Sequence, residues 1–404
     1  MTNRILVSFV LATKDRRESL LETLAQIGQC GLQRDSYEII VADNDSSDGS
    51  SAAGGHLVDE MIRLPTNHGS CAKAFAAERS RGEYLMFLDD DSFPHPGSMT
   101  RMLERFEERP DLGAAGFAVY LPDGRQEASA LPGVFHGCGV GFRASAYREV
   151  GGLDRTFFMQ AEEYDLSFRL ANAGWTIEIF DDLRVEHRKT AQARQAERTT
   201  YHDIRNNLRV AARYLPSAYY RPYRQDWICR YAWLAERLGH QRSFARGYAD
   251  ARWTCRKERW HFRHRRLEPA PLERFFGWAT VEERMKRIAG RGVERVVFAD
   301  LGKNIFAFVR AAARSGVQVL AIGDDRFAAP RRFYRGIPVI SLEEALSLQS
   351  DAIVISNTAP LFAKNAYDRV IQSTAKPVFS WFQGPSRNAH EALACSLSPL
   401  ATCP

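Results

Sequence analysis

With 404 residues the chain is too long for one ordinary core, so two or three domains are expected. Its 45% hydrophobic and 26% charged content is that of a folded globular protein and excludes a disordered or fibrous chain; no stretch approaches the roughly 20 apolar residues of a membrane span. The net charge of +6 is uneven: residues 201–290 hold 20 Lys+Arg against 9 Asp+Glu, a balance of +11, which leaves −5 for the rest.

Seven cysteines without a CxxC pair or a cysteine–histidine cluster argue against a structural zinc site and a disulfide framework, and fit a reducing cytoplasm. Residues 5–12 are interrupted by Ser8 and run straight into Lys14-Asp15-Arg16-Arg17, which does not read as a signal peptide. A cytoplasmic protein is expected.

In chain order, residues 5–12 form an apolar strand, and residues 15–29 carry Leu20, Leu21, Leu24 and Ile27 at helical spacing before Gly28 and Gly31. Residues 38–42 are a second strand, stopping at the turn-rich loop that opens with Asp43. Asn67-His68-Gly69 starts a helix that runs through Arg79, and residues 84–88 are a third, buried strand. This alternation predicts an α/β fold with a parallel sheet and helices on both faces. Residues 135–142 are Gly-rich and extended, 145–150 helical, 162–173 a helix closed by Gly174, and 175–180 and 183–187 strand-like. Long helical stretches rich in arginine and aromatics follow to about residue 290. Strands at 295–299, 317–322 and 352–356 then predict a second, smaller Rossmann-like α/β domain. Its Asp300-Leu301-Gly302-Lys303-Asn304 turn lacks GxGxxG, so scaffold or regulatory use is expected rather than dinucleotide binding. The expected boundaries are 1–210, a basic aromatic helical segment 211–290, 291–390, and a tail 391–404.

The third strand ends in Asp89-Asp90-Asp91. Packing does not ask for three adjacent carboxylates, which repel one another and are costly near a core. A divalent cation such as Mg²⁺ or Mn²⁺ compensates them, and the carboxyl end of a central strand is where open α/β sheets bind ligands. The plain alternative is a solvated acidic turn helped by Ser92, Pro94 and Pro96.

Residues 7–16, the loop 41–49, Asn67-His68-Gly69 with Lys73, Leu88-Asp89-Asp90-Asp91, and Gly151-Gly152-Leu153-Asp154 followed by Glu162-Glu163-Tyr164-Asp165 occur in one order over about residues 4–210. Together they resemble the inverting family 2 glycosyltransferases. The resemblance implies a GT-A fold, a nucleotide-sugar donor and a divalent metal. It implies a donor site from Thr13, Asp15, Asp43, Asn67, Lys73, Asp89 and Asp90, with Asp91, Asp89 and His187 at the metal. Glu163 holds the base position by analogy, but this chain has Glu where Asp is commoner, which leaves the assignment open among Glu163, Glu162 and Asp165. Their placement at a helix start suits anions, and their clustering raises at least one pKa.

Each residue also has a plainer reading. Asp43 can be a turn former, Lys73 a solvated helix lysine, and His187 a satisfied structural histidine. Asp90 points to the opposite face of an extended chain, so its assignment is the loosest. Arg169 reads as an ion-pair partner and Trp175 as core packing, while His136 and residues 137–141 form a floor that, by resemblance, faces the acceptor.

The expected activity is transfer of a sugar from a nucleoside diphosphate to a hydroxyl of a glycan or lipid-linked acceptor. The alternatives are a non-catalytic nucleotide-sugar binding module and a sugar-phosphate nucleotidyltransferase; the glycines usual in the latter's first loop are missing from Thr13-Lys14-Asp15-Arg16. Residues 201–290 hold five of the seven tryptophans. A helical bundle with solvated arginines is the plainest reading of that segment. Peripheral contact with an anionic bilayer at the inner membrane face is the functional one, and nucleic acid is not expected.

Overall fold

The structure is a computed structural model and describes residues 4–189 and 196–381, so the expected tail at 391–404 lies outside the described residues. The chain divides into two compact units, Met1–Ser129 with Gly133–Pro271, and Ala130–Pro132 with Leu272–Pro404.

In the first unit the strands are β1 (Val7–Thr13), β2 (Tyr37–Asp43), β3 (Glu60–Arg63), β4 (Tyr84–Phe87), β5 (Ser92–Pro94), β6 (Leu112–Tyr120), β7 (Gln126–Glu127), β8 (Val140–Arg143) and β9 (Thr176–His187). The helices are α1 (Arg17–Ile27), α2 (Ser50–Gly54), α3 (Lys73–Arg79), α4 (Ser98–Glu108), α5 (Ala144–Glu149), α6 (Glu162–Asn172), α7 (Ala196–Tyr214), α8 (Ser217–Leu238) and α9 (Gln241–His261). β2 and β4 are buried along their whole length and β1 nearly so, which is why these strands read as unbroken apolar runs rather than alternating ones. One sheet results, in the order β3-β2-β1-β4-β8-β6-β9-β5, with β7 on β6.

The expected parallel arrangement holds for β3, β2, β1 and β4. Beyond them only β6 and β9 pair parallel; β8 enters antiparallel between β4 and β6, and β5 pairs antiparallel with β9. The strand-like stretches expected at 175–180 and 183–187 are one strand, β9. Its pairing with β6 jumps from Phe117↔Phe180 to Ala118↔Arg184, and this irregularity absorbs the residues between. β6 itself was not foreseen: Leu-Gly-Ala-Ala-Gly-Phe-Ala-Val-Tyr has too few large side chains to show a period. The small residues are needed there, since a Cβ at Gly116 would come within 2.9 Å of Ile179.

Phe9, Tyr37, Met86, Met102, Phe106 and Val185 share one buried cluster beneath the sheet. The register aligns the carboxyl ends of the first strands. Thr13 pairs with Asp43, and Val10 with Phe87, just before the aspartate triplet. Polar groups from three strand ends are thereby delivered to one edge of the sheet. Helices α7, α8 and α9 form the helical middle segment, burying Tyr214, Tyr223 and Trp227 completely.

The second unit carries β10 (Arg295–Ala299), β11 (Gln318–Gly323), β12 (Phe333–Tyr334), β13 (Ile337–Ile340), β14 (Ala352–Ile355) and β15 (Val378–Phe379) in the order β12-β13-β11-β10-β14-β15, parallel except for β12. Asp300 and Asp324, at the ends of β10 and β11, both hold Arg326, at 2.7 and 3.0 Å. Among the described residues no helix is long and apolar enough to cross a membrane. The α/β class, with a GT-A-type domain, a helical middle and a second smaller sheet, is the one expected; the mixing of parallel and antiparallel strands is not.

Candidate functional site

Asp43 is fully buried at the end of β2. Its Oδ1 accepts the Ser46 N–H at 3.0 Å, as a turn-forming aspartate would, but its Oδ2 is buried with no hydrogen-bond partner. A buried carboxylate oxygen left unpaired is costly, so this atom calls for a donor from outside the chain. Asp15, in the left-handed region at φ 51°, accepts the Ser47 N–H at 2.7 Å and the Ser47 hydroxyl at 3.1 Å, fastening the 43–49 loop to the end of β1. Those bonds, the Ser47 amide first, hold its carboxyl below the usual range. Asn67 accepts the Gly69 N–H at 2.8 Å. Gly69 has φ 63°, and a Cβ there would collide with the Phe158 carbonyl oxygen, so no other residue fits.

The three aspartates lie in a turn between β4 and β5, closed by the Ser92 N–H donating to the Asp89 carbonyl at 3.2 Å, and not in the extended chain expected. Asp90 turns inward: it accepts the Thr13 hydroxyl at 2.7 Å and meets Arg16 Nη1 at 2.5 Å. Burial pushes its carboxyl up to about 7 against the pull of Arg16 and Thr13. Asp91 takes the other Arg16 nitrogen at 2.5 Å and lies 3.4 Å from His187 Nε2. Burial alone would raise the Asp91 carboxyl, but His187 and Arg16 hold it far below the usual range. Asp89 keeps 36% of its side chain exposed and pairs with Lys73 Nζ at 2.5 Å. Lys73 also donates to the Gly137 carbonyl at 2.7 Å. The lysine is therefore buried and committed to Asp89, neither solvated nor extended toward open space.

His187 closes β9 with Nδ1 at 2.8 Å from Glu127 and 3.7 Å from Cys138 Sγ. Burial disfavours its charge, yet Asp91, Cys138 and Glu127 raise its pKa to about 12. Asp89, Cys138 and His187 each offer a ligand atom within 4.8 Å of the others. With Asp91 alongside, the carboxylate oxygens and the imidazole suit a divalent cation such as Mn²⁺; the thiol alone would favour a softer ion. The residues present thus fit the expected metal.

Helix α6 begins with the two glutamates. Ser70 donates its hydroxyl to Glu162 Oε1, while Glu162 Oε2 is buried without a partner. Glu163 is half-buried, makes no ion pair with any described residue, and faces Gly137, where a Cβ would stand 3.5 Å from its Oε1. Glu163, Lys73 and Asp89 therefore share one wall around Gly137. Burial raises both glutamates, and the neighbouring Glu162 charge raises Glu163 further. Asp165 is different. It accepts from Arg169 at 2.7 Å, Arg213 at 3.0 Å and the Tyr214 hydroxyl at 2.6 Å, and is 1% exposed. Both oxygens are engaged, so Asp165 has no lone pair left to take a proton from a substrate, and its place is in a buried ion-pair cluster.

His136 is half-buried, its Nε2 has no hydrogen-bond partner, and burial lowers its pKa. Trp175 donates to Glu149 at 3.0 Å and lies over Gly113, a packing position. Sequence reasoning missed the fork of Arg16 across Asp90 and Asp91 and the Glu127 and Cys138 contacts of His187. Arg16 stood inside a quoted motif, which was a usable signal. Glu127 and Cys138 had none, because only β-sheet pairing brings them to His187.

Residues 8–151 match the family model described as Glycosyl transferase family 2, and residues 84–246 match that of Glycosyl transferase family group 2. The chain is 25% identical to N-acetylglucosaminyl-diphospho-decaprenol L-rhamnosyltransferase of Mycobacterium tuberculosis, over 37% of this chain and 66% of that protein. It is 33% identical to succinoglycan biosynthesis protein ExoM of Rhizobium meliloti, over 22% of this chain and 31% of that one. The chain thus spans just under two thirds of the length of the first curated relative and less of the second. Among solved structures, S. aureus TarS 1-349 in complex with UDP-GlcNAc superposes with a TM-score of 0.48 at 13% identity, covering 82% of this chain and 100% of that one.

Proposed function

From the match of residues 8–151 to the family 2 glycosyltransferase model and of residues 84–246 to that of family group 2, we propose that the protein moves a sugar from a nucleoside-diphosphate sugar to a hydroxyl of a glycan or lipid-linked acceptor, with inversion and with a divalent cation. The observation that carries this reading is the buried, unpartnered Oδ2 of Asp43, set at the same strand ends as Asp89 and Asp91. A base or ribose donor of the nucleotide satisfies that oxygen. Thr13 and Asp15 hold the loops on either side.

Asp89, Asp91 and His187 are the residues that hold Mg²⁺ or Mn²⁺. When bound, such an ion neutralises the charge that develops on the departing diphosphate. Lys73 fixes the Asp89 carboxylate and adds a positive charge to the same wall. Glu163, raised by burial and lacking an ion-pair partner, takes the proton of the acceptor hydroxyl, and Glu162 beside it tunes that basicity. A single displacement of this kind has oxocarbenium character and needs no covalent nucleophile. The relatives' names, which concern a decaprenol-linked substrate and polysaccharide biosynthesis, support an envelope glycan or its lipid-linked precursor as acceptor. The second unit serves as scaffold or regulator.

The test is a panel of nucleotide sugars in thermal-shift and turnover assays with and without Mn²⁺. At least one donor should stabilise the protein in a metal-dependent way and release nucleoside diphosphate when acceptor is supplied. Stabilisation by no donor would sink the reading, and binding without release on any acceptor would reduce the protein to a binding module.

A further inference from the structure

Helices α8 and α9 both pack on α7 and leave between them a cavity of about 930 Å³. Six arginines line it: Arg221 and Arg224 from α8, Arg252, Arg256 and Arg259 from α9, and Arg266 beyond; no acidic residue does. Two of the six are held in place. Arg259 donates to the Leu215 carbonyl at 2.9 Å and stacks 3.9 Å from the Tyr220 ring centre, and Arg266 donates to the Ala212 and Arg259 carbonyls, each at 2.7 Å. Arg221, Arg224, Arg252 and Arg256 make no ion pair with any described residue. Glu258, adjacent to Arg259 in sequence, goes to Arg209 and Arg213 instead.

The fold thus gathers six like charges around one hollow, and the described residues lining it supply no counter-charge. Burial first, and the neighbouring Arg259 second, lower the pKa of Arg266 to about 10. The planar arginine fork matches phosphate oxygens in pairs, which identifies the missing partner as a phosphate or diphosphate group. The rim identifies its carrier. Trp260, on the cavity wall, is 71% exposed, and Trp253, 80% exposed, lies seven residues earlier on the same helix and so close to the same face. Exposed tryptophans beside arginines are the composition of a surface that enters the headgroup layer of a bilayer.

We propose that this cavity receives the phosphate of an anionic membrane lipid, with Trp253 and Trp260 entering the interface around it. The inference goes beyond the transferase reading and does not depend on it.

Flotation of the full chain with vesicles tests the proposal. The protein should bind phosphatidylcholine vesicles carrying phosphatidylglycerol and not phosphatidylcholine alone. Arg221→Gln combined with Arg252→Gln, both at exposed positions, should weaken that binding about thirtyfold, at roughly 1 kcal/mol per arginine. Lys364→Gln with Arg369→Gln, a matched charge change in the second unit, should bind as the parent does. Trp260→Ser should weaken vesicle binding while leaving any inorganic pyrophosphate binding intact. Unchanged flotation of the cavity variant, or equal loss in the matched control, overturns the proposal. So does pyrophosphate binding without vesicle binding, which assigns the cavity to a soluble anion. Tighter binding of a single-stranded oligonucleotide than of vesicles overturns it in favour of nucleic acid. Donor-induced thermal shifts should be the same in the cavity variant and the parent, so failure of the transferase reading and failure of this one are separable.

Discussion

Lys73 and Asp89 form a closed pair, with Nζ 2.5 Å from Oδ1, the ammonium buried and the carboxylate facing outward. The lysine therefore sets the orientation of Asp89. Lys73→Met leaves that carboxylate without its partner. Because Asp89 is partly solvated, the stability cost should be about 2 kcal/mol, below the range for a fully buried pair. Metal-dependent donor turnover should fall at least tenfold. Denaturant unfolding and turnover measured side by side check both.

Asp43→Asn keeps an oxygen for the Ser46 N–H and replaces the unpartnered Oδ2 with an amide. Stability should hold or rise slightly, because the unsatisfied buried charge is gone. Donor affinity should drop by about 10- to 100-fold, the worth of a hydrogen bond to a charged group. Calorimetry with the best donor, alongside thermal melts, reads the two effects separately; parallel losses in both would remove Asp43 from the donor site.

Glu163 works as a base only when ionised, and burial together with Glu162 raises its pKa well above that of an ordinary carboxylate. Activity should be present above that raised pKa and lost as pH falls through it. The same group adds stability in the opposite sense: protonated at low pH, it favours the fold, and that contribution is lost as pH rises through the folded pKa. Glu163→Gln should retain donor binding, abolish the acidic limb of the pH profile and lower turnover by at least a hundredfold. Glu162→Gln should shift the limb to lower pH. If the limb persists in Glu163→Gln, another group is the base.

Asp165 should matter to folding more than to chemistry. Asp165→Ala leaves Arg169 with only the Val150 and Gly152 carbonyls and Arg213 with Asp154 and Glu258, at a cost of about 3 kcal/mol, the low end for a broken buried pair. Tyr214→Phe removes a single 2.6 Å hydrogen bond, for about 1–2 kcal/mol, and should leave turnover unchanged where the protein is folded. A large drop in turnover without loss of stability in Tyr214→Phe would return this cluster to the active machinery.

These residues also show what the sequence could reveal. Buried parallel strands ending in polar residues announce themselves, so β1, β2, β4 and the groups Thr13, Asp43 and Asp89 were legible. Strand β6 was not, because its glycines and alanines are chosen for close approach to β9 and carry no periodicity. Glu127 and Cys138 lie 60 and 49 residues from His187 in sequence, and only the folded sheet, β7 antiparallel on β6 and β6 parallel to β9, with Cys138 just before β8, brings them together. Asp165 looked equivalent to Glu162 and Glu163 within one motif. What separates it is α7, whose Arg213 and Tyr214 reach it from 48 and 49 residues away.

The fork of Arg16 across Asp90 and Asp91 has a consequence for the life of the chain before it meets any substrate. The carboxylates bring their own counter-ion, fixed at the start of α1. Newly made protein can thus complete its fold without metal, and a chelator should leave thermal melts unchanged. On the proposed reading, the residues that would hold a cation already stand in a finished cleft before it binds, and its loss would leave the scaffold standing.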